Sequence, residues 1–403
     1  MPQAPIASPR PVYEPVYRDP NLRILFCVTL TAVMGVSSIT PVFPTMQKAL
    51  GVTPQATGLL VTVFTLPGVV ATPLLGILSD RVGRKRILVP SLLLFAVAGS
   101  LLPLAPSFSG MLVFRFLQGL GAAALGSLNV TLIGDLFEGR RTTAAMGYNA
   151  GVLSLGTTLY PSLGGALAAL GWRFPFVLPL LAIPVALLVW FRLDSPPLPP
   201  RQDIRSYLVA TAASIRNRHI LGLFVASLAS FVLLYGAYNT YLPFLLAESF
   251  DSNSTAIGLV MSSMSLATAL VASQLSRLSR RFREQQLIIA AFLLHALALA
   301  IVPGVRSLWL FLIPTTIYGL GQGMNTPSIQ ALLARMAPPQ QRGAFMSLNG
   351  MVFRLGQTLG PLVMALAYTS GGYLAVYRWG AVLGLLAAAV VAATLGGGRR
   401  AIG

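Results

Sequence analysis

The chain has 403 residues, of which 55% are hydrophobic and only 9% charged, and its formal net charge is +18. A water-soluble globular chain holds about 25% charged residues, so this composition excludes a soluble fold. Nucleic-acid binding is excluded as well, because it needs cations gathered on one face or arm, and here they lie scattered between apolar runs.

Residues 1–23 form a Pro-rich polar tail without the apolar core and small-residue cleavage site of a signal peptide. Runs long enough to cross a hydrocarbon core of about 30 Å as a helix then follow. They fall at 24–46, 56–77, 87–105, 110–134, 143–168, 174–191, 220–246, 256–276, 286–304, 308–334, 344–368 and 373–395. Every second connection is basic. Arg81, Arg84, Lys85 and Arg86 follow the second run, Arg140 and Arg141 the fourth, and Arg192, Arg201, Arg205, Arg216 and Arg218 the sixth. Arg277, Arg280, Arg281 and Arg283 follow the eighth, Arg335 and Arg342 the tenth, and Arg399 and Arg400 close the chain. The opposite connections hold only Lys48, Arg173, Arg306 and Arg378. This asymmetry predicts that the basic loops and both termini are cytoplasmic in a multi-pass inner-membrane protein. Cys27 stands alone inside the first run, which rules out an intramolecular disulfide and a thiolate metal site.

The longest polar interruption, 192–219, contains Pro196, Pro197, Pro199 and Pro200 and divides the runs six and six. It predicts a linker between two bundles, 24–191 and 220–395, with a short tail at 396–403. The halves are repeats. Shifting the chain by 200 residues places Gly119, Leu120 and Gly121 on Gly319, Leu320 and Gly321. In the same register Ala144, Met146, Asn149, Leu155, Gly156, Thr158, Leu159 and Pro161 meet Ala344, Met346, Asn349, Leu355, Gly356, Thr358, Leu359 and Pro361. Parallel repeats about an axis normal to the membrane suit a transporter whose halves rock around a central site.

After the second run stand Gly76, Asp80, Arg81, Gly83 and Arg84. Gly76 leaves room for a neighbouring helix and Gly83 permits a tight turn. Asp80 is an anion suited to the positive end of a facing helix. The loop resembles the signature loop of the major facilitator superfamily. That resemblance implies that Asp80 faces the start of the eleventh helix near Gly343, and that Arg84 bridges Asp80 to Asp135 in a latch closing the cytoplasmic side. The counterpart loop, 276–283, keeps Arg281 but has Arg280 where Asp80 stands, and reads as a degenerate copy serving topology.

The fourth run carries Arg115, Gln118, Gly119 and Gly121, similar to a second motif of the same superfamily. Arg115 either faces a cavity or reaches back to the outer interface. Gly147, Gly156, Pro161, Gly164 and Gly165 on the fifth run resemble the motif of the exporters, with Tyr160 where a glycine is usual. Glycines so spaced make a groove for a partner helix, and the proline bends the segment. The resemblance spans all the runs and implies the twelve-span drug/proton antiporter branch.

In that family the first, fourth, seventh and tenth helices line the cavity. This implies Ser37, Ser38, Gln118, Asn129, Tyr235, Tyr238, Asn239, Tyr241, Gln322 and Asn325 as candidate wall residues, with bridging between helices as the alternative. None of the ten acids falls at mid-depth, so either a membrane-edge acid such as Asp135 carries proton coupling or the transporter couples differently or not at all. His295 lies at mid-depth in the ninth run and reads as a structural histidine. Arg354 lies near the centre of the eleventh without an acid at its depth, and is either a site for an anionic substrate or an arginine bound to carbonyls and water.

The reading is an all-α membrane protein of twelve helices in two pseudo-symmetric bundles. It is a monomeric secondary transporter for a small amphipathic molecule or drug, exporting by alternating access in exchange for protons. Neither cofactor nor metal is expected. An importer or lipid flippase of the same fold is the nearest alternative, and a membrane-embedded enzyme a distant one.

Overall fold

The computed structural model describes residues 15–194, 217–337 and 342–395. Most of the expected linker lies outside these residues, as do positions 1–14 of the first tail and the whole of the second. Among the described residues nine helices are long and apolar enough to span a membrane. In chain order these give α1 (Pro20–Leu50), α2 (Pro54–Val82), α3 (Arg84–Leu104), α4 (Phe108–Leu136), α6 (Phe174–Arg192), α7 (Arg218–Phe250), α8 (Ser254–Arg281) and α9 (Glu284–Gly304), and a last one at Phe345–Leu395. Between them α5 (Gly139–Ala168) and α10 (Leu312–Met336) have span length but are more polar.

The final helix, Arg342–Leu395, is broken at Gly371 and Gly372. Gly372 has φ 62°, a left-handed conformation that a β-carbon disfavours, so the chain turns there. The break separates α11 (342–370) from α12 (373–395), and the membrane-length segments number twelve in the order expected.

Short side chains start several helices. Asp19 accepts from the Asn21 amide at 3.0 Å, Thr53 from Ala56 at 3.2 Å, Ser107 from Gly110 at 3.2 Å and Asn253 from Ala256 at 2.9 Å. Each satisfies an amide that has no partner inside the helix. Prolines interrupt the regular pattern: Pro41 sits in a 3₁₀ turn at Thr40–Val42 within α1, and Pro175 and Pro179 in one at Phe174–Leu181 opening α6. Within α7 the segment Leu233–Tyr241 is a π-helix, a widening that commonly marks a functional site.

The two bundles repeat each other in their closest packing. A β-carbon on Gly119 would overlap the Phe64 carbonyl, and one on Gly319 the Met264 carbonyl. Gly121 likewise abuts the Ser91 carbonyl, and Gly321 the Ala291 carbonyl. All four pairs obey the 200-residue register, so the sequence repeat is a repeat of backbone-to-backbone contact. Without a hydrophobic driving force between helices in lipid, such approaches carry the association. Leu25, Val28, Leu92, Phe95 and Leu128 fill the first bundle, and Leu233, Val260, Leu299, Tyr318 and Val376 the second. Leu66, Val113, Phe191, Leu266 and Leu385 point outward, exposed, as a surface meant for acyl chains must.

Candidate transport pathway between the bundles

The bundles meet along two seams, α2 against α11 and α5 against α8, and both are sealed at the end away from the basic loops. On the second seam the Thr45 and Ser254 hydroxyls lie 2.9 Å apart, Thr255 donates to the Gly165 carbonyl at 3.1 Å, and the Ser162 and Ser262 hydroxyls lie 2.7 Å apart. Side chains at Gly165 and Gly258 would overlap the facing backbones of Ser254 and Pro161. On the first seam Gly58 packs toward Thr240 and Pro361, and Thr62 donates to the Thr358 carbonyl at 3.1 Å. The Thr65 and Thr358 hydroxyls share a hydrogen bond of 2.9 Å. Phe43 and Phe244 stack across the gap at 6.3 Å, within an apolar plug that includes Leu60, Met111 and Phe176.

Toward the basic loops the seams part. Residues 69–78 of α2 and 268–281 of α8 include no buried position, although both helices bury residues turn after turn in their other half. The cleft between the bundles therefore opens on the basic face and is shut on the opposite one. The expected close approach at Gly76 is absent in this arrangement, and at Gly147 too. Neither position has a neighbouring atom within 4 Å of a notional β-carbon, because the opposing helix ends have separated.

At the basic face Arg84, the first residue of α3, is buried among three partners. Its Nε donates to Asp135 at 3.0 Å, and its Nη1 donates to the Ser79 hydroxyl at 2.7 Å and to the Asp80 carboxylate. Gly83 supplies the turn with φ 104°. Arg81 is exposed. The surroundings of Gly343, the expected partner of Asp80, lie outside the described residues.

Several candidate cavity residues turn instead into their own bundles. Arg115 is 1% exposed and donates to the Leu60 carbonyl at 2.9 Å, the Gly35 carbonyl at 2.7 Å and Gln118 at 2.6 Å, with its guanidinium 4.2 Å over the Phe64 ring. It ties α1, α2 and α4 together, which corrects both the cavity and the interface readings. Gln118 is consumed in that cluster. Asn129 donates to Thr29 at 2.6 Å and to Asn149 at 3.3 Å, joining α4, α1 and α5. Tyr238 donates to the Met261 carbonyl and stacks on Tyr318, Asn325 donates to Ser230, and Tyr241 stacks on Tyr368. Ser38 bonds back to the Met34 carbonyl. Polar side chains inside a bundle commonly hydrogen-bond across its helices, as these do.

Gln322 is nearly buried, accepting from Ser230 at 3.4 Å and donating to Thr326 at 3.2 Å. Tyr235 and Asn239, on the π segment, and Arg354 remain partly open. On α5, Gly156 touches Leu30, Tyr160 folds back over Gly156 and is largely buried with Pro161, Gly164 abuts the Ser38 carbonyl, and Gly165 forms the seam. Gly68, Gln357, Thr62 and Thr65 were not singled out by the sequence, and Thr358 only as a repeat position; the threonines spaced along the second helix were the available signal.

Comparison with known proteins agrees with this geometry. The Major Facilitator Superfamily model matches residues 25–246 and 231–401, and the chain belongs to that superfamily of transporters. It is 27% identical over 367 residues to the bacillibactin exporter of Bacillus subtilis, covering 88% of this chain and 91% of that protein. It is 24% identical over 346 residues to multidrug resistance protein 1 of the same organism, covering 85% and 88%. In fold it matches a bacterial homolog of the human lysosomal transporter Spinster in its inward-facing, unoccupied conformation, with a TM-score of 0.78 at 17% identity over 97% of this chain and 100% of that one. The human organic anion transporter MFSD10 gives a TM-score of 0.72 at 21% identity over 94% and 100%.

Proposed function

We propose that this transporter exports a small amphipathic organic molecule from the basic face, which is cytoplasmic, to the opposite side of the inner membrane, acting as a monomer in exchange for protons. The observation that carries the reading is the pair of seams, sealed by hydroxyl and glycine contacts at one end and parted at the other. Rocking the two bundles about Thr62, Thr65 and Thr358 would reverse the opening without remaking either core. The names of the relatives, an exporter and a multidrug resistance protein, support the outward direction and a drug-like cargo.

The described carboxylates all stand at helix ends, so coupling is assigned to the basic-face cluster of Asp80, Arg84 and Asp135. Arg84 holds both acids while the cleft is open. Exchange requires Asp135 to take its proton while the opposite face is open and to release it to the basic face, where Arg84 then holds both acids as the cargo enters. The test is dye transport into inverted vesicles with an imposed pH gradient. Accumulation that depends on the gradient and is lost in Asp135→Asn supports the reading. Gradient-independent equilibration refutes coupling, and accumulation only in right-side-out vesicles refutes export.

A further inference from the structure

Among the described residues two arginines lie deep in the helices, and they are used in opposite ways. Arg115 spends its donors on two carbonyls and an amide inside the first bundle. Arg354, near the middle of α11, makes one side-chain hydrogen bond among the described residues, from Nη1 to Gln357 at 3.2 Å. Neither belongs to a salt bridge; those among the described residues are formed by Arg84, Arg141 and Arg335. A guanidinium carries five donors in a fixed fork, so most of the Arg354 fork is left for another partner.

Its position says what that partner meets. The side chain leans from α11 across the boundary onto Gly68 of α2, where a β-carbon would come within 3.0 Å of Cδ and 3.1 Å of Nε. Glycine at that point makes the room. The Arg354 carbonyl accepts from Thr358 at 2.8 Å, and the Thr358 hydroxyl is the one shared with Thr65 in the sealed seam. Arg354 therefore sits one turn below the seal, where the open cleft begins. Tyr235, on the π segment of α7, stacks at 6.1 Å on Phe231, whose ring lies 4.3 Å from that of Phe353, the residue before Arg354. The 200-residue counterpart is Ser154, so the repeat itself does not require a cation at this depth.

We infer that Arg354, with Gln357 and Tyr235 beside it, is the recognition site for an anionic group, a carboxylate or an acidic phenol, on the transported molecule. The inference rests on the exporter reading and narrows its cargo from amphipathic molecules in general to those bearing a negative charge. An arginine at mid-depth is costly to place in a membrane, and a bidentate anion offsets that cost while leaving the amphipathic remainder against the apolar walls.

The experiment uses two xanthene dyes of similar size and opposite charge, fluorescein and rhodamine 6G, binding to the full-length protein in detergent by fluorescence polarisation. The wild type should prefer fluorescein. Arg354→Gln should weaken fluorescein binding about tenfold, leave rhodamine 6G unchanged and keep the wild-type melting temperature. Arg354→Lys should retain part of the preference, since it keeps the charge but not the fork. No preference in the wild type, no fluorescein binding, or an equal loss for both dyes in Arg354→Gln overturns the inference. If Arg354→Gln does not fold, Arg354→Lys decides: a folded variant with residual preference supports the site, and an unfolded or indifferent one refutes it. Binding without any gradient separates this outcome from the vesicle test, so failure of export leaves the site standing and failure of the site leaves export standing.

Discussion

Glu284 and Arg335 form an ion pair at the basic face of the second bundle, at the two positions that lie 200 residues beyond Arg84 and Asp135, with the charges exchanged. The pairs are not electrostatically equivalent. Glu284 begins α9 and Arg335 ends α10, so both charges complement the dipoles of their helices. Arg84 begins α3 and Asp135 ends α4, so both oppose theirs. The first pair holds because Asp80 and Ser79 add two further bonds to Arg84 and bury it. The second bundle thus keeps a clasp just beyond the 276–283 loop, in the form that needs no third partner.

From this difference follows an unequal sensitivity. Arg84→Ala leaves two carboxylates without their cation and should cost about 3 kcal/mol. Glu284→Gln removes a pair whose arginine is largely exposed and should cost under about 1 kcal/mol. Thermal unfolding of the two variants in the same detergent checks the order, and equal losses would contradict it.

Arg115 should behave as a structural residue. Arg115→Ala leaves the Leu60 and Gly35 carbonyls and Gln118 without their donor in a dry site, a loss of about 3 kcal/mol or more. The folded fraction should bind substrate with unchanged affinity. A stable variant with lost affinity would return Arg115 to the pathway.

The glycines of α5 should divide by depth. Gly165→Val puts a branched side chain into the Ser254 backbone and should shift the population toward an open outer face, read as a longer distance between spin labels on the outer ends of α5 and α8. Gly147→Ala meets open space and should leave that distance alone. An unchanged distance in Gly165→Val would show that the seam is not the outer gate.

His295 is fully buried, stacked at 4.3 Å on Tyr318 and edge-on to Phe292, and its ring nitrogens make no well-formed hydrogen bond. We expect His295→Phe to keep the stack, the fold and the pH dependence of transport. Loss of gradient-driven transport in that variant, with the melting temperature intact, would make the histidine part of coupling.

Local composition alone determined the spans, their two-fold repeat and the basic loops, because hydrocarbon thickness and the interface act on each segment separately. Asp80, Gly83 and Arg84 were legible for a similar reason: four residues of chain hold them together. The direction in which Gln118, Asn129, Tyr238 and Asn325 point was not legible. Lipid-facing and core-facing sides of a membrane helix are both apolar, so periodicity does not tell a cleft from a neighbouring helix. Comparing the halves for identity also hid the Glu284–Arg335 clasp, since an exchanged pair shares no residue with its counterpart. Only tertiary packing decided that Arg115 is enclosed and Arg354 is not: within the first bundle Gly35 and Leu60 bring carbonyls to one guanidinium, whereas across the bundle boundary Gly68 brings the other no side chain at all.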